Sequence, residues 1–187
     1  MGELKLQRPS LKTLEGQKNL IGAEIGVEYG ENALRILLNL DIQILYLIDP
    51  YELAVKENKE QGVFSTKDEA ISVMKIAQNS LQQFSSKIRW IKKLSQDVSS
   101  EIPDTSLDFV YIDGNHSYDA VYKDLQVYWE KLKLGGLFAG HDWNAPGSGV
   151  KEAVETFRRN LAYPYPEKYY HMVDDLGGRC DWWFYKG

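Results

Sequence analysis

The fold is decided by residues 107–143, LDFVYIDGNHSYDAVYKDLQVYWEKLKLGGLFAGHDW. Two apolar runs in this stretch, Phe109–Ile112 and Leu137–Ala139, have the length and composition of buried strands. Between them, apolar residues at intervals of three and four predict one amphipathic helix over Ser117–Leu132. A strand, a helix and a second strand in this order favour two parallel strands in one sheet. Both strands are therefore expected to end at the same edge of that sheet.

The rest of the sequence extends this unit into an α/β fold. Gly135 and Gly136 are expected to stop the helix between the two apolar runs in the manner of a C-cap. Two β-type runs near the end of the chain, Tyr169–Val173 and Asp181–Tyr185, predict a C-terminal antiparallel hairpin. The expected architecture is a doubly wound, Rossmann-like, mostly parallel sheet of seven strands. Further strands are predicted at residues 23–27, 42–48 and 88–92, and further helices at residues 32–40, 67–84 and 150–161.

A chain of 187 residues is expected to form one domain, which we interpret as residues 1–187. Residues 1–20 are mixed in character and are predicted to form a helix or an arm beside the sheet. Residues 51–65 are polar and are predicted to form a mobile loop that acts as a lid.

The charge balance and the cysteine content restrict the class of protein. A net charge of −5 argues against a general nucleic-acid surface, which needs clustered Lys and Arg. No apolar run approaches the roughly 20 residues that span a bilayer, so no membrane partner is expected. Cys180 is the one cysteine of the sequence, which excludes an internal disulfide framework and suits a reducing compartment. Because the first residues also lack the apolar core of a signal peptide, the expected location is the cytoplasm.

Charged and polar side chains follow both apolar runs of residues 107–143. The first run leads into Asp113–His116 (DGNH), and the second leads into Gly140–Trp143 (GHDW). These two stretches hold two of the three histidines of the chain. Ligands of open α/β sheets bind at the carboxyl ends of the strands. Carboxylates and imidazoles grouped at one sheet edge therefore predict a reaction centre.

A second signal lies at the turn after the first predicted strand, in Glu24–Gly30 (EIGVEYG). Glycines there let the backbone approach a ligand closely, and the next helix offers free N–H groups at its N-terminus. Asp49 follows 23 residues after Gly26, the separation at which an acidic side chain meets a ribose in nucleotide-binding sheets. Glu28 stands where the dinucleotide fingerprint requires glycine, which favours a cofactor without phosphates. The alternative is a structural turn in which Asp49 caps a helix.

The sequence resembles the class I S-adenosylmethionine (SAM)-dependent methyltransferases. The Glu24–Gly30 loop and Asp49 carry this resemblance, and residues 108–143 resemble the small family 24 methyltransferases most closely. The resemblance implies that the loop receives the methionine part of SAM and that Asp49 binds its ribose. Leu94–Asp97 resembles the Ser-Gln-Asp segment that borders the adenine in catechol O-methyltransferase-like enzymes. The residues thereby assigned to the cofactor are Glu24, Gly26, Tyr29, Gly30, Asp49, Ser95, Gln96 and Asp113.

Asp113 and Asp142 are candidate ligands of a divalent metal ion at the two neighbouring strand ends. Carboxylate oxygens suit Mg²⁺, with waters and substrate oxygens completing its coordination. In related metal-dependent O-methyltransferases the ligands come from the same two strand ends, and the resemblance puts Asp113 at the matching position of the first. The second strand end there usually carries paired acidic groups or Asp-Asn, whereas this chain has His141 before Asp142. The expected metal ligands are therefore Asp113, His141 and Asp142, with Mg²⁺ as the ion.

His116 is a candidate catalytic residue together with Asp113. It lies three residues beyond Asp113, where the catechol-type enzymes place a lysine base, and an imidazole with a pKa near 6.5 suits this role. Some sugar O-methyltransferases use an aspartate two residues beyond the metal aspartate, but this chain has Asn115, which cannot act as a base. His141 remains an alternative base. Ser117, next to His116, is alternatively the N-cap of the following helix.

The expected function is SAM-dependent methylation of a hydroxyl on a small molecule, a sugar or a phenol, with metal assistance. The expected partner is thus a small-molecule acceptor, with no nucleic acid and no membrane, and a homodimer is left open. One alternative is an NAD-dependent oxidoreductase on a Rossmann fold, which shares Gly26, Gly30 and Asp49 but lacks the full fingerprint and an evident Tyr-x-x-x-Lys pair. Another is a non-catalytic nucleoside-binding protein that retains the fold.

Overall fold

The computed structural model describes residues 4–54, 64–98, 100–161, 169–173, 178 and 180–187. Its strands are β1 (Leu20–Ile25), β2 (Ile42–Ile48), β3 (Ile88–Ile91), β4 (Leu107–Ile112), β5 (Leu132–Gly140), β6 (Tyr169–Val173) and β7 (Cys180–Tyr185). Its α-helices are α1 (Pro9–Lys12), α2 (Glu31–Asn39), α3 (Lys67–Ser80), α4 (Tyr118–Lys131) and α5 (Val150–Asn160). Short 3-10 helices lie at Tyr51–Ala54, Gln82–Phe84 and Ser95–Asp97.

The strands of the described residues form a seven-stranded sheet in the order β3-β2-β1-β4-β5-β7-β6. Neighbouring strands from β1 to β5 are parallel. β7 pairs antiparallel with both β5 and β6. The predicted doubly wound, mostly parallel sheet with a C-terminal antiparallel pair is therefore confirmed. The junction between β6 and β7 lies largely outside the described residues.

The carboxyl ends of the central strands lie level with one another. Ile25, the last residue of β1, pairs with Ile48 of β2 and with Ile112 of β4. Ile112 in turn pairs with Gly140 of β5. In parallel strands with this register, the residues that follow each strand emerge at one edge. The motifs after β1, β2, β4 and β5 are therefore neighbours in space.

Apolar side chains cover both faces of the sheet. One face packs against α4 and α5 through buried residues such as Leu125 and Phe157. The other face packs against α2 and the N-terminal arm through residues such as Ile36 and Leu11. This double burial explains why the strands read as nearly continuous apolar runs rather than as alternating ones. Polar chemistry is consequently gathered at the carboxyl edge.

The helix α4 ends at Lys131, and Gly135 and Gly136 lie inside β5. The prediction that these two glycines stop the helix is wrong. Lys186 instead supplies a cap, because its Nζ donates to the carbonyl oxygen of Trp129 at 2.6 Å. The backbone N–H of Gly135 donates to Lys186, and the N–H of Lys186 donates to Gly136. This pairing with the C-terminal end of the chain extends β5 through the glycines, and a local sequence pattern does not contain it.

The N-terminal arm is anchored at the opposite end of the chain. The backbone N–H and the hydroxyl of Ser10 donate to Asp181 Oδ2 at 3.1 and 2.5 Å. The hydroxyl of Tyr111 in β4 donates to Asp181 Oδ1 at 2.8 Å. Asp181 is fully buried, and these three bonds satisfy both of its oxygens. The arm is therefore fixed across β4 and β7, which carries Arg8 to the carboxyl edge of the sheet.

Much of the loop predicted over residues 51–65 lies outside the described part of the chain. Tyr51–Ala54 form a 3-10 helix, and residues 55–63 are not described, so the predicted lid stays a prediction. Within the described residues, no helix combines the length and the apolar character that crossing a membrane requires.

Gly26→Ala is expected to destabilise the fold strongly. The φ of Gly26 is +84°, and a Cβ there would stand 2.2 Å from the carbonyl oxygen of Asp113. A left-handed backbone costs about 1–2 kcal/mol for a residue with a Cβ. Forcing extra atoms into a packed site costs about 1–3 kcal/mol more. In urea unfolding, the variant should therefore lose roughly 2–5 kcal/mol of the free energy of unfolding.

Gly16→Ala is the matched control for this substitution. Gly16 has nearly the same backbone, with a φ of +85°, but a Cβ there would meet nothing within 4 Å. It should lose the conformational part alone, about 1–2 kcal/mol. Equal losses in the two variants would show that the close approach of Gly26 to Asp113 has no energetic weight.

Candidate active site

Asp49, which follows β2, fixes the conformation of the glycine loop that follows β1. Asp49 Oδ2 accepts from the backbone N–H groups of Val27 and Glu28, both at 2.9 Å, and Oδ1 accepts from the N–H of Tyr51 at 2.8 Å. Glu28 has a left-handed φ of +48°, and its carbonyl accepts from the Tyr51 hydroxyl at 3.0 Å. A carboxylate has about four acceptor positions, of which these bonds use three. Asp49 therefore shapes the loop, and the described residues leave one of its acceptor positions for a further donor.

Glu24 of β1 is a buried carboxylate with an unused oxygen. Its Oε1 accepts from Asn32 Nδ2 at 3.1 Å, whereas no described residue donates to the buried Oε2. Burial raises the pKa of Glu24 to about 8, against the hydrogen bond from Asn32, which lowers it. The side chain lines the same cleft as Gly26. It therefore offers an acceptor to a ligand, and a cationic ligand would favour its ionised form.

Four side chains from the ends of β4 and β5 converge next to this loop. His116 Nε2 lies 3.0 Å from Asp142 Oδ2 and 3.6 Å from Asp113 Oδ1. His141 Nδ1 lies 3.6 Å from Asp142 Oδ2 and 3.7 Å from Asp113 Oδ1. One donor atom from each of Asp113, His141 and Asp142 falls within 4.8 Å of the others. The structure thus brings together the strand-end residues that the sequence singles out.

Arg8 of the N-terminal arm joins this cluster, and sequence reasoning missed it. Its guanidinium lies 2.5 Å from His141 Nε2 and donates to Asp113 Oδ2 at 3.3 Å. A guanidinium has no acceptor, so His141 Nε2 accepts this bond. The proton of the neutral His141 ring is therefore on Nδ1, the nitrogen that faces Asp113 and Asp142. No pattern within residues 1–20 signals this contact, because it depends on how the arm is anchored.

The charges of the cluster perturb one another. Burial raises the pKa of Asp113, but the nearby His116 and His141 rings outweigh it and hold this pKa well below its usual range. The nearby carboxylate of Asp113 raises the pKa of His116, against burial, which lowers it. Burial lowers the pKa of His141, while Asp113 and Asp142 raise it to about 9. A second proton on this ring would face the Arg8 guanidinium at 2.5 Å, so the neutral form is the one compatible with that contact.

The cleft encloses about 1430 Å³, more than the roughly 300–1,000 Å³ of an ordinary ligand pocket. Gly30 is not among its lining residues and instead is the N-cap of α2, with a φ of +77°. His141 and Asp142 do not line it either; they lie behind its wall and are 8% and 6% exposed. The other predicted site residues line the cleft: Glu24, Gly26, Tyr29, Asp49, Ser95, Gln96, Asp113 and His116.

Asp124 of α4 is a second lining residue that sequence reasoning missed. Its Oδ1 accepts a hydrogen bond from the hydroxyl of Ser95, and the Tyr128 hydroxyl donates to the carbonyl of Ser95 at 3.1 Å. Asp124 lies on the buried side of α4, three residues after Val121. A carboxylate at a core-facing position of an amphipathic helix was the available signal.

A family model assigns the class of this protein. The model of Methyltransf_24, a methyltransferase domain, matches residues 23–143, more than half of the chain. The fold and the match define a SAM-dependent methyltransferase of class I. The chain belongs to the Methyltransf_24 family. No curated protein matches it significantly in sequence.

Solved structures share this fold at low sequence identity. SMU.1697c of Streptococcus mutans, a proposed methyltransferase in complex with S-adenosylhomocysteine (SAH), is 13% identical over 100% of this chain and 99% of that one, with a TM-score of 0.65. An rRNA methylase of Streptococcus thermophilus is 10% identical over 95% and 91%, with a TM-score of 0.60. A precorrin-6y C5,15-methyltransferase of Geobacter metallireducens is 12% identical over 95% and 86%, with a TM-score of 0.65. These likenesses show the fold alone.

The prediction of a small-molecule acceptor to the exclusion of nucleic acid is wrong. The fold is shared with an rRNA methylase, so neither the fold nor the net charge of −5 removes RNA from the acceptors to be tested. The physical reason is that phosphate contacts depend on a local basic surface. The net charge of the whole chain averages over such surfaces.

Glu24→Gln is expected to gain stability over the wild type as the pH rises. The pKa of Glu24 is about 8 in the folded state, against 4.5 for the ordinary side chain. The folded state therefore binds more protons between these two values, and the Glu24 contribution to stability falls as the pH rises through that window. Glutamine fills the same space and can accept from Asn32, but it does not ionise. The difference should grow by up to about 1.4 kcal/mol per pH unit.

Urea unfolding at pH 5, 6, 7 and 8 measures this difference. The matched control is Glu15→Gln, which removes an exposed carboxylate and should differ from the wild type by a constant amount. If the wild-type and Glu24→Gln curves run parallel over this range, the protonation of Glu24 in the folded state is refuted.

Proposed function

We propose that the protein transfers the methyl group of SAM to an acceptor hydroxyl in this cleft. The observation that carries the proposal is that two groups of residues with different chemistry meet in the cleft, and we call them the donor half and the acceptor half. One half is the glycine loop with Glu24, and the other is the carboxylate and imidazole cluster around Asp113. They meet where Gly26 lies against the backbone of Asp113. When bound, SAM supplies a methyl group activated by a positively charged sulfur.

The donor half suits a cationic amino acid joined to a nucleoside. Glu24 Oε2 is buried beside the loop and accepts from the ammonium group of the methionine part. Asp49 has one acceptor position left, which we assign to a ribose hydroxyl. Tyr29, 44% exposed on the cleft wall, covers the ligand from the solvent side. Ser95 and Gln96 line the same cleft, and we assign them to the adenine.

In the acceptor half, His116 is the residue that we assign as general base. Its Nε2 lies 3.0 Å from Asp142 Oδ2, so we assign the proton of the neutral ring to Nε2, which leaves Nδ1 to take the proton of the acceptor. His141 is less suited, because it lies behind the cleft wall and its Nε2 is occupied by Arg8. As the acceptor oxygen bonds to the methyl carbon, the bond from carbon to sulfur breaks. The hydroxyl proton passes to His116.

We further propose that a divalent metal ion assists this step. Asp113 and Asp142 would hold it through carboxylate oxygens, and His141 would join them through Nδ1 on losing the proton there, because the donor atoms of all three lie close together. Such an ion lowers the pKa of a hydroxyl bound to it. Arg8 pairs with Asp113 and occupies Nε2 of His141, so it offsets part of the negative charge of the site.

The acceptor group proposed here is a hydroxyl of the sugar or phenol type. Both kinds can be deprotonated by an imidazole and a metal ion acting together. The ribose hydroxyls of RNA belong to the same chemical class. The size of the molecule that carries the hydroxyl is therefore a question for an acceptor panel.

SAH is expected to raise the melting temperature of the protein, whereas NAD is not. At a concentration 100 times its Kd, a ligand that binds the folded state adds about 2.7 kcal/mol of stability, or roughly 5–10 °C for a chain of this size. Thermal unfolding with each ligand makes the comparison. Glu24→Gln should reduce the shift with SAH, and the distant Glu15→Gln should not. Stabilisation by NAD and not by SAH would favour an oxidoreductase and overturn the proposed function.

His116→Ala is expected to lower kcat by about 10²–10⁴-fold, because the variant lacks the general base. The measurement is SAH formation with a catechol, a sugar and a short RNA as acceptors. The thermal shift with SAH should stay unchanged in this variant, which separates loss of chemistry from loss of cofactor binding.

A chelator should lower the wild-type rate, and Asp142→Asn should weaken Mn²⁺ binding in calorimetry. Full activity in the chelator would remove the metal ion and leave methyl transfer in place.

A further inference from the structure

Asp124 is a buried carboxylate on the wall of the cleft with an unused oxygen. It is 3% exposed, and its Oδ1 accepts from the Ser95 hydroxyl. No described residue donates a hydrogen bond to Oδ2. Removing a carboxylate from water costs several kcal/mol unless it is paired. Lys131, the other buried charged residue of α4, is paired with Asp104 at 2.6 Å. Among the described residues, none forms such an ion pair with Asp124.

The surroundings of Asp124 describe the shape of a complementary ligand. Leu94, Ala120 and Gln96 line the cleft beside it, so an apolar wall lies next to a polar edge. Ser95 is fixed between two residues of α4, because Asp124 accepts from its hydroxyl and Tyr128 donates to its carbonyl. A flat heteroaromatic ring with an N–H donor at its edge fits such a wall. Burial raises the pKa of Asp124 to about 6, so at neutral pH the group accepts and does not donate.

We propose that Asp124 recognises the exocyclic amino group of the cofactor's adenine, with Oδ2 as the acceptor. This inference rests on the proposed function, since it takes the donor half to be the SAM site. Ser95 then acts as a positioning residue, because its hydroxyl holds Oδ1 and leaves Oδ2 toward the cleft. The amino group satisfies a carboxylate oxygen to which no described residue donates.

The proposal predicts discrimination between adenine and hypoxanthine. Hypoxanthine has a carbonyl oxygen where adenine has the amino group. This oxygen would face Asp124 Oδ2, and two hydrogen-bond acceptors cannot pair. A site built to bond one group rejects an analogue that leaves its buried polar atoms unpaired. Asn in place of Asp124 offers both an acceptor and a donor. It should therefore bind either base and lose the preference.

The experiment compares the affinities of SAH and S-inosylhomocysteine, which differ in this one group, by isothermal titration calorimetry at pH 7.5. The wild type should prefer SAH by about 30-fold or more. Asp124→Asn should reduce this ratio to about threefold or less. Asp119→Asn, the same change at an exposed position of α4, should keep the wild-type ratio. Asp124→Ser provides a second variant if the first does not fold, and it should also lower the ratio.

The outcomes separate this inference from the proposed function. A wild type that binds neither ligand overturns both. A wild type that binds SAH but shows a ratio near one overturns the role of Asp124 and leaves the SAM site standing, and this result needs no variant. A wild-type ratio that Asp124→Asn and Asp124→Ser preserve has the same consequence. A ratio that falls in both variants and stays high in Asp119→Asn supports the assignment.

Discussion

The close approach of Gly26 to the backbone of Asp113 is the constraint on which the rest of the site depends. β1 and β4 are neighbours, with Ile25 paired to Ile112, and the N–H of Asp113 donates to the carbonyl of Ile25 at 2.8 Å. The loop after one strand and the cluster after the other are therefore fixed by backbone hydrogen bonds. Reactions that transfer a group in line depend on such fixed separations, since a displacement of about 1 Å can cost 10²-fold in rate.

The carboxylates of the cleft differ in their hydrogen-bond donors, and this difference distinguishes the donor half of the site from the acceptor half. Asp49 is bound by backbone N–H groups and Asp113 by cationic or imidazole groups. Glu24 and Asp124 each have one neutral donor, Asn32 and Ser95, and each keeps an oxygen without a donor among the described residues. Spare acceptor capacity thus lies where we propose the cofactor, and compensated charge lies where we propose the chemistry.

The sequence predicts the parts of this molecule that depend on local periodicity. Ile42–Ile48 was delimited residue for residue, because a buried parallel strand is an unbroken apolar run. The predicted helix stop at Gly135 and Gly136 is wrong, because backbone pairing with Lys186 places both glycines in β5. Motif residues at strand ends were found because topology alone brings them together. The sequence does not predict Arg8 or Asp124 as site residues. The position of Arg8 depends on a contact between distant parts of the chain, and that of Asp124 depends on which face of α4 packs against the sheet.

The boundary of the family match separates what is shared from what this chain adds. Residues 23–143 include the glycine loop, Asp49, Asp113 and Asp142, whereas Arg8 lies outside them. Arg8 reaches the cluster because Ser10 is bound to Asp181, so the contact needs the first and the last segments of the chain together. On the proposed function, the shared core holds the methyl donor and the arm sets the charge and the tautomer of the acceptor half. The fold is shared with an rRNA methylase and a precorrin methyltransferase, so the fold alone does not fix the acceptor, and on the proposed function the arm is a part of this chain that can contribute to that choice.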